Sequence, residues 1–170
     1  MGGRGSSGGK RSGGGGRPEG DGSYGQNENG HKYTKEEYES RLKALNEYGE
    51  YHYHATTEQA YMKIREEGLK PSLGHTGEEI YMAKTEIDAL EWAEQTSTNG
   101  KIVTRVSNKY LAKTDYYDYD RARDGEGSTS MKIPVGQVQV RTNSGAWVNV
   151  QDSIMIRSGG RAFIVKQRRR

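Results

Sequence analysis

Apolar residues recur with helical spacing in the first half of the chain and with strand spacing in much of the second half. Thr34 stands before an acidic turn, and Tyr38, Leu42 and Leu45 then follow at intervals of three or four residues. A polar cap followed by apolar residues at this spacing is typical of an amphipathic helix. The pattern therefore predicts a first helix over about 35–48.

A strand and a second helix are predicted next. Tyrosine and histidine alternate over residues 51–54, which favours a short strand whose two histidines share one face. Thr56 and Thr57 offer N-terminal caps for the helix that follows, and Gly68 provides its stop. The sequence therefore predicts a strand, a tight turn and a helix in direct succession.

A further strand and helix are predicted after Pro71. Residues 79–82 form a short β-prone run, and Thr85 with Asp88 three residues later resembles a capping box. Three apolar residues are expected to face the core from this third helix: Ile87, Leu90 and Ala93.

The rest of the chain is predicted to be mostly β-structure, with turns at 143–145 and 158–160. The strand candidates are 101–106, 131–140, 146–150, 153–156 and 162–166. Because the helices come first and the strands follow, the pattern indicates an α+β fold and not a doubly wound sheet.

Composition divides the chain into three parts. Residues 1–32 hold 13 of the 24 glycines and almost nothing apolar, so we expect a disordered Gly/Arg-rich head. A single catalytic-type domain is expected over 33–165, followed by a basic tail over 166–170. The net charge of +3 is uneven, because the head carries +2 and residues 157–170 carry +6, which leaves −5 for 33–156. The basic pI of about 9.0 therefore comes from the ends of the chain.

Composition also excludes several classes of site. The absence of cysteine excludes disulfides, thiolate metal sites and cysteine nucleophiles. The apolar runs are far shorter than the roughly 20 residues of a membrane span, and no apolar leader is expected. The phosphate-loop pattern is absent, and no GxSxG nucleophile elbow is expected, since the match at 5–9 lies in the glycine-rich head and follows no predicted strand. His52, His54 and His75 offer zinc ligands without an evident fourth, so no metal is expected.

The run 51–94 carries several short motifs in a fixed order. That order is YHATT, a predicted helix, GLKPS, a loop, IYMA and a second predicted helix. It resembles the NAD-binding half of ADP-ribosyltransferases of the diphtheria-toxin and PARP-like type, whose signature is a strand histidine, a strand tyrosine and a later Glu, Asp or Gln. The resemblance implies a split β-sheet core and NAD as the substrate.

The resemblance also assigns roles to residues of both motifs. Cleaving the bond between nicotinamide and ribose passes through an oxocarbenium-like state, so the enzyme must hold the dinucleotide and stabilise positive charge on the sugar. His54 would bond ribose hydroxyls and Ala55 would leave backbone groups free for the nicotinamide amide, with Thr56 in the same NAD-binding group. Tyr81 would stack on the nicotinamide ring.

The third catalytic residue has three candidates. The family usually has a glutamate near the start of a later strand. Gln139 resembles the second position of a Q-x-E pattern with glutamine in place of the acid, which hydrogen-bonds ribose but supplies no negative charge. Glu126, in the 121–127 loop, is the rival acid, and Gln137 is a further rival.

Contacts with the macromolecule that accepts ADP-ribose are predicted in two places. Three tyrosines stand among three acids over 115–120, where they either dock a protein substrate or form an exposed strand edge kept soluble by its acids. The Gly/Arg head and the terminal arginines are similar to RNA-contacting segments and are equally typical of solubilising ends.

Three functions are weighed. The leading hypothesis is a mono-ADP-ribosyltransferase that modifies a protein or nucleic-acid acceptor. An alternative is an NAD-dependent RNA 2'-phosphotransferase on the same fold, for which the motif region supplies few cations: Lys63, Arg65, Lys70, Lys84 and Arg105. The third is a non-enzymatic, phage-associated nucleic-acid-binding protein, favoured by the missing acid at position 139 and by the basic ends. The first eight residues resemble the start of small phage proteins, which implies a phage or mobile-element effector if the domain is an enzyme. We expect a cytoplasmic location, or delivery to a host cytoplasm with or without a virion.

Overall fold

The computed structural model describes residues 18–74, 77–95, 102–118 and 126–168, and these contain four α-helices and ten strands. The helices are α1 (Lys35–Leu45), α2 (Glu58–Glu67), α3 (Glu86–Gln95) and α4 (Asn108–Leu111). The strands are β1 (Tyr51–Thr56), β2 (Ser72–Gly74), β3 (Gly77–Ala83), β4 (Ile102–Ser107), β5 (Tyr117–Asp118), β6 (Glu126–Thr129), β7 (Val138–Arg141), β8 (Trp147–Asn149), β9 (Ser153–Ser158) and β10 (Arg161–Lys166). The α+β class expected from the sequence is confirmed.

Most of the strands form one antiparallel sheet. Its order is β5-β6-β3-β1-β4-β7-β8, and β2 adds to β3. The last two strands, β9 and β10, form a separate hairpin. The strand that carries the two predicted histidines, β1, therefore lies in the middle of the main sheet.

Local sequence signals set the helix boundaries. Thr34 and Glu37 form the reciprocal bonds of a capping box at the start of α1. Thr57 caps α2 by accepting a hydrogen bond from the backbone of Ala60, as its sequence predicts. Gly68 ends α2 with φ of +79°, and a Cβ at this position would lie 2.2 Å from the carbonyl oxygen of Ile133. Only glycine fits there.

The core lies on one face of the main sheet. Val106, Val138 and Val140 are fully buried on β4 and β7, and they form one cluster with Tyr61 of α2. The Tyr61 hydroxyl lies 2.6 Å from the Ser153 hydroxyl, so its polar end is also satisfied. This packing fixes β1, β4 and β7 as a rigid support.

Part of the predicted disordered head is ordered. Residues 18–32 form turns, Gln26 bridges to Lys32, and the backbone N–H of Gln26 donates to the carbonyl of Lys113 at 3.1 Å. The Tyr33 hydroxyl donates to the carbonyl of Thr114. The expectation of disorder is therefore wrong for 18–32, because these residues find backbone partners in the body, whereas 1–17 lie outside the described residues.

Two other sequence predictions need correction. Ile87 is 68% exposed, so the predicted inward stripe of α3 is wrong there, whereas Ala93 is buried as predicted and Ala89 is buried beside it. The predicted strand 131–140 is not continuous, because Pro134 begins a 3-10 turn and pairing with β4 starts only at Val138. Among the described helices, none is long and apolar enough to cross a membrane.

Candidate functional site

The strand register separates the candidate residues between the two faces of the sheet. His54 lies opposite Thr104, which lies opposite the buried Val140. Tyr53 lies opposite Arg105, which lies opposite Gln139. Because neighbouring residues of a strand point to opposite faces, His54 belongs to the core face and Gln139 to the other, which we call the outer face.

The sheet is split beside His54. In the described chain, β1 and β3 have one registered pair, Tyr53 with Ala83, although both strands continue beyond it. Next to that pair the imidazole Nδ1 of His54 lies 2.8 Å from the backbone carbonyl oxygen of Tyr81. The His54 side chain thus bonds a carbonyl that would accept from a backbone N–H in a continuous antiparallel ladder.

The hydrogen bond to Tyr81 fixes the protonation of the His54 ring. A carbonyl oxygen only accepts, so Nδ1 carries a proton and donates it. Burial lowers the pKa of His54 and outweighs the opposing effect of that hydrogen bond. At neutral pH the ring is therefore uncharged, and Nε2 presents a lone pair that can accept a hydroxyl proton.

Tyr81 and Glu126 share the outer face on adjacent strands. Tyr81 lies opposite Ser128, and Ala83 lies opposite Glu126, which is the first residue of β6. Ser128 donates to the Glu79 carboxylate at 2.6 Å on the same face. A half-buried tyrosine, a carboxylate and a hydroxyl are therefore grouped on the β3 side of the split.

The two glutamine candidates lie on the other side. Gln139 accepts a hydrogen bond from Arg105 Nε at 2.7 Å, and two strands, β1 and β4, lie between it and β3. Gln137 is exposed in the 3-10 turn before β7. The described geometry thus places His54, Tyr81 and Glu126 on three neighbouring strands, with His54 on the core face and the other two on the outer face, and leaves both glutamines apart from them.

The two residues after His54 have different surroundings. Ala55 is half-buried and belongs to the outer face with Tyr53. Thr56 is only 5% exposed and lies opposite Ile102 on the core face. Backbone groups at Thr56 remain candidates for NAD contact, but its hydroxyl is turned toward the core.

The other histidine of β1 is in a closed network. His52 is fully buried, and its Nδ1 donates to Asn108 Oδ1 at 2.6 Å. The amide nitrogen of Asn108 donates to Leu45 O and Gly49 O, which fixes the orientation of the amide. His52 Nε2 lies 3.3 Å from the carboxylate of Asp118. All of these groups hold backbone segments together.

The tyrosine-rich run is not a uniform exposed edge. Tyr116 is buried against His52, with ring centroids 5.0 Å apart, whereas Tyr117 is 67% exposed on the edge strand β5. Tyr119 lies outside the described residues. The prediction that every tyrosine of this run is exposed is therefore wrong for Tyr116.

Sequence reasoning missed an aromatic cluster on the outer face. The guanidinium of Arg105 lies 3.6 Å from the ring centroid of Tyr51 and 4.2 Å from that of Trp147. Tyr53 and Trp147 have ring centroids 5.9 Å apart. The four residues come from three strands, so no local sequence pattern joins them.

Two cavities of the described chain lie elsewhere. One lies between α1 and residues 27–29 and 115–117, and the other between α3 and the β9–β10 hairpin. Neither is lined by His54 or Tyr81. Within the described residues no group of three His, Asp or Glu side chains is arranged to hold a metal ion, and His75 is outside them.

Comparison with known proteins finds no matching family model, no matching curated protein and no matching solved structure.

Proposed function

We propose that the chain is an NAD-dependent mono-ADP-ribosyltransferase that uses the split between β1 and β3. In this function the bond between nicotinamide and ribose breaks, its electron pair leaves with nicotinamide, and an acceptor nucleophile bonds to the ribose carbon. The acceptor is a protein or a nucleic acid. The observation that carries the proposal is the hydrogen bond from the His54 ring to the backbone carbonyl of Tyr81. This bond joins the YHATT and IYMA motifs at the split between β1 and β3.

His54 is suited to bind ribose in its neutral form. Its Nδ1 is occupied by the Tyr81 carbonyl, and burial keeps the ring uncharged near neutral pH by lowering its pKa. Nε2 is then the acceptor for a ribose hydroxyl. A cationic ring would repel the oxocarbenium-like state, so the lowered pKa favours the reaction.

Geometry favours Glu126 over Gln139 as the third residue. Both residues belong to the outer face with Tyr81, but Glu126 begins a strand that pairs directly with β3, whereas two strands separate Gln139 from β3. It is also the only acid among the three candidates, so it alone can stabilise positive charge on the sugar and take the proton of the acceptor. Gln139 is held by Arg105.

The test measures nicotinamide release from NAD, alone and with cell lysate as the source of acceptor. We expect His54→Ala, Tyr81→Ala and Glu126→Gln each to reduce release at least tenfold. Gln139→Ala and the exposed Tyr48→Ala serve as matched controls and are expected to keep the parent rate. Absence of release by the parent protein, or equal loss in controls and site variants, would contradict the proposal.

The RNA 2'-phosphotransferase alternative is less well supported by the surroundings of its candidate cations. Lys84 is buried against Glu47 at 2.9 Å, and Lys70 is paired with Glu67. Arg65 Nε donates to the Ser153 carbonyl at 2.6 Å. Each of these cations is bonded to another protein group, and they do not line one common site for a phosphate. Incubation with 2'-phosphorylated RNA and NAD, followed by assay for a cyclic phosphate product, distinguishes the two activities.

A further inference from the structure

The outer face of the sheet differs chemically from the rest of the body. The four strands β1, β4, β7 and β8 contain no aspartate or glutamate, and their charged residues are Arg105 and Arg141. By contrast, residues 33–156 as a whole carry −5. On these four strands the outer face therefore carries arginines and no acid of its own, with Glu86 of α3 bonded to Arg141 at the border, whereas its β3–β6 part carries Glu79 and Glu126.

The side chains of this face lie in rows that run across the strands. Tyr53, Arg105, Gln139 and Asn149 form the central row, and Arg141 lies opposite Trp147 in the next. Except for Arg141, which is exposed, these residues are partly buried, whereas Thr104 and Val140 on the core face are fully buried. Rings, guanidinium groups and amides are thus presented side by side and reachable from solvent.

The cluster is rigid before any ligand arrives. Arg105 contacts the faces of Tyr51 and Trp147, and its Nε donates to Gln139. Each of these groups is anchored on a strand whose other face is core. Such preorganisation reduces the entropy that binding would otherwise cost.

We infer that this face binds single-stranded nucleic acid, with bases stacking on Tyr53 and Trp147 and the backbone phosphates near Arg105 and Arg141. Flat aromatic rings interleaved with arginines on an exposed sheet face are the recurring platform for unpaired bases. Gln139 and Asn149 add amide donors and acceptors that can read base edges. Local charge is complementary to phosphate, and the acid-free strands remove the repulsion that the rest of the body would exert.

This inference is independent of the proposed mono-ADP-ribosyltransferase activity, because none of its groups except Gln139 is a candidate residue for that reaction. It predicts binding in the absence of NAD. A duplex of the same length is expected to bind more weakly, since paired bases cannot stack on the platform.

Trp147 supplies a direct reporter. The chain has two tryptophans, so Trp92→Phe leaves Trp147 as the single one. In that full-length protein, we expect an oligouridine of about 12 nucleotides, within the usual site size, to quench the remaining fluorescence in a saturable way. Oligothymidine of equal length shows whether the ribose hydroxyl contributes. No quenching by either strand would overturn the inference.

Variants then locate the site by fluorescence anisotropy of labelled oligouridine. Tyr53→Ala and Trp147→Ala are expected to raise Kd by about tenfold, and Arg105→Lys to raise it less, since the charge remains while the planar stack is lost. Arg157→Ala on the β9–β10 hairpin removes one exposed arginine elsewhere and is the matched control. Equal weakening by Arg157→Ala and Trp147→Ala would place binding on the basic ends and overturn the inference.

Discussion

The two histidines of β1 lie two residues apart on the same sheet face, yet their surroundings have little in common. His52 is fully buried in bonds to Asn108 and near Asp118, and every partner holds another backbone segment in place. His54 is half-buried at the split, with one ring nitrogen on Tyr81. The contrast shows that residue type and strand position alone do not determine how many of a histidine's ring nitrogens are engaged by protein partners.

The largest expected effect is on stability at the His52 end. Asn108→Ala removes the acceptor for His52 and leaves the carbonyls of Leu45 and Gly49 without their donor. We expect the free energy of unfolding to fall by about 3 kcal/mol, because buried polar groups left unpaired cost about 1–3 kcal/mol each. Urea denaturation measures it, with the exposed Asn29→Ala as control. A change in unfolding free energy below 1 kcal/mol would contradict the structural role that we assign to the His52 network.

At His54, we expect a smaller effect on stability and a larger effect on NAD binding. His54→Ala removes one hydrogen bond from a half-buried site, so the unfolding free energy should fall by about 1 kcal/mol. NAD at tenfold its dissociation constant should stabilise the parent by about 1.4 kcal/mol, and the variant should lose this increment. Thermal unfolding with and without NAD measures both. An unchanged NAD increment in the variant would assign His54 a structural role like that of His52.

Thr104→Val tests whether the strand opposite His54 contributes. The Thr104 hydroxyl donates to the backbone carbonyl of His54 at 2.9 Å, and valine keeps the shape without this donor. We expect a loss of no more than about 1 kcal/mol in unfolding free energy and no change in the NAD increment. Thr104→Ser keeps the hydroxyl and should restore most of the loss. If Thr104→Val abolished NAD stabilisation, the binding region would extend to β4.

The smallest effect is a pH dependence that His54 contributes. Because burial lowers its pKa in the folded chain, the unfolded chain takes up the proton first as pH falls. Stability from this group is therefore complete above about pH 6.5, the ordinary value for histidine, and declines below it. Urea denaturation over pH 5–8 measures the unfolding free energy of the parent and of His54→Gln. The parent should lose more stability on acidification, and parallel curves would contradict the assignment.

Local signals in the sequence were sufficient for several elements. The capping box at Thr34, the cap at Thr57 and the stop at Gly68 depend on residues within one helical turn, and all three are present in the structure. The sharing of one face by His52 and His54 follows from the two-residue period of a strand. Such features need no knowledge of distant partners.

Features that depend on distant partners were not predictable. Residues 18–32 look disordered by composition, yet their backbone bonds with residues near Lys113. The pairing of Arg105 with Gln139 and the stacking of Arg105 on Trp147 join three strands. The choice of Glu126 over Gln139 became arguable only when the register placed β6 beside β3. Long-range register is the information that the sequence pattern lacks.

The single registered pair between β1 and β3 has a consequence for how the domain opens. On one side of Tyr53 and Ala83 lie β1, β4, β7 and β8, and on the other lie β2, β3, β5 and β6. Helix α3 packs across both halves, so side-chain packing joins them where the backbone ladder does not. We therefore expect hydrogen exchange to treat the two halves as separate cooperative units, with the amides along the split exchanging through local opening at a lower free energy than global unfolding.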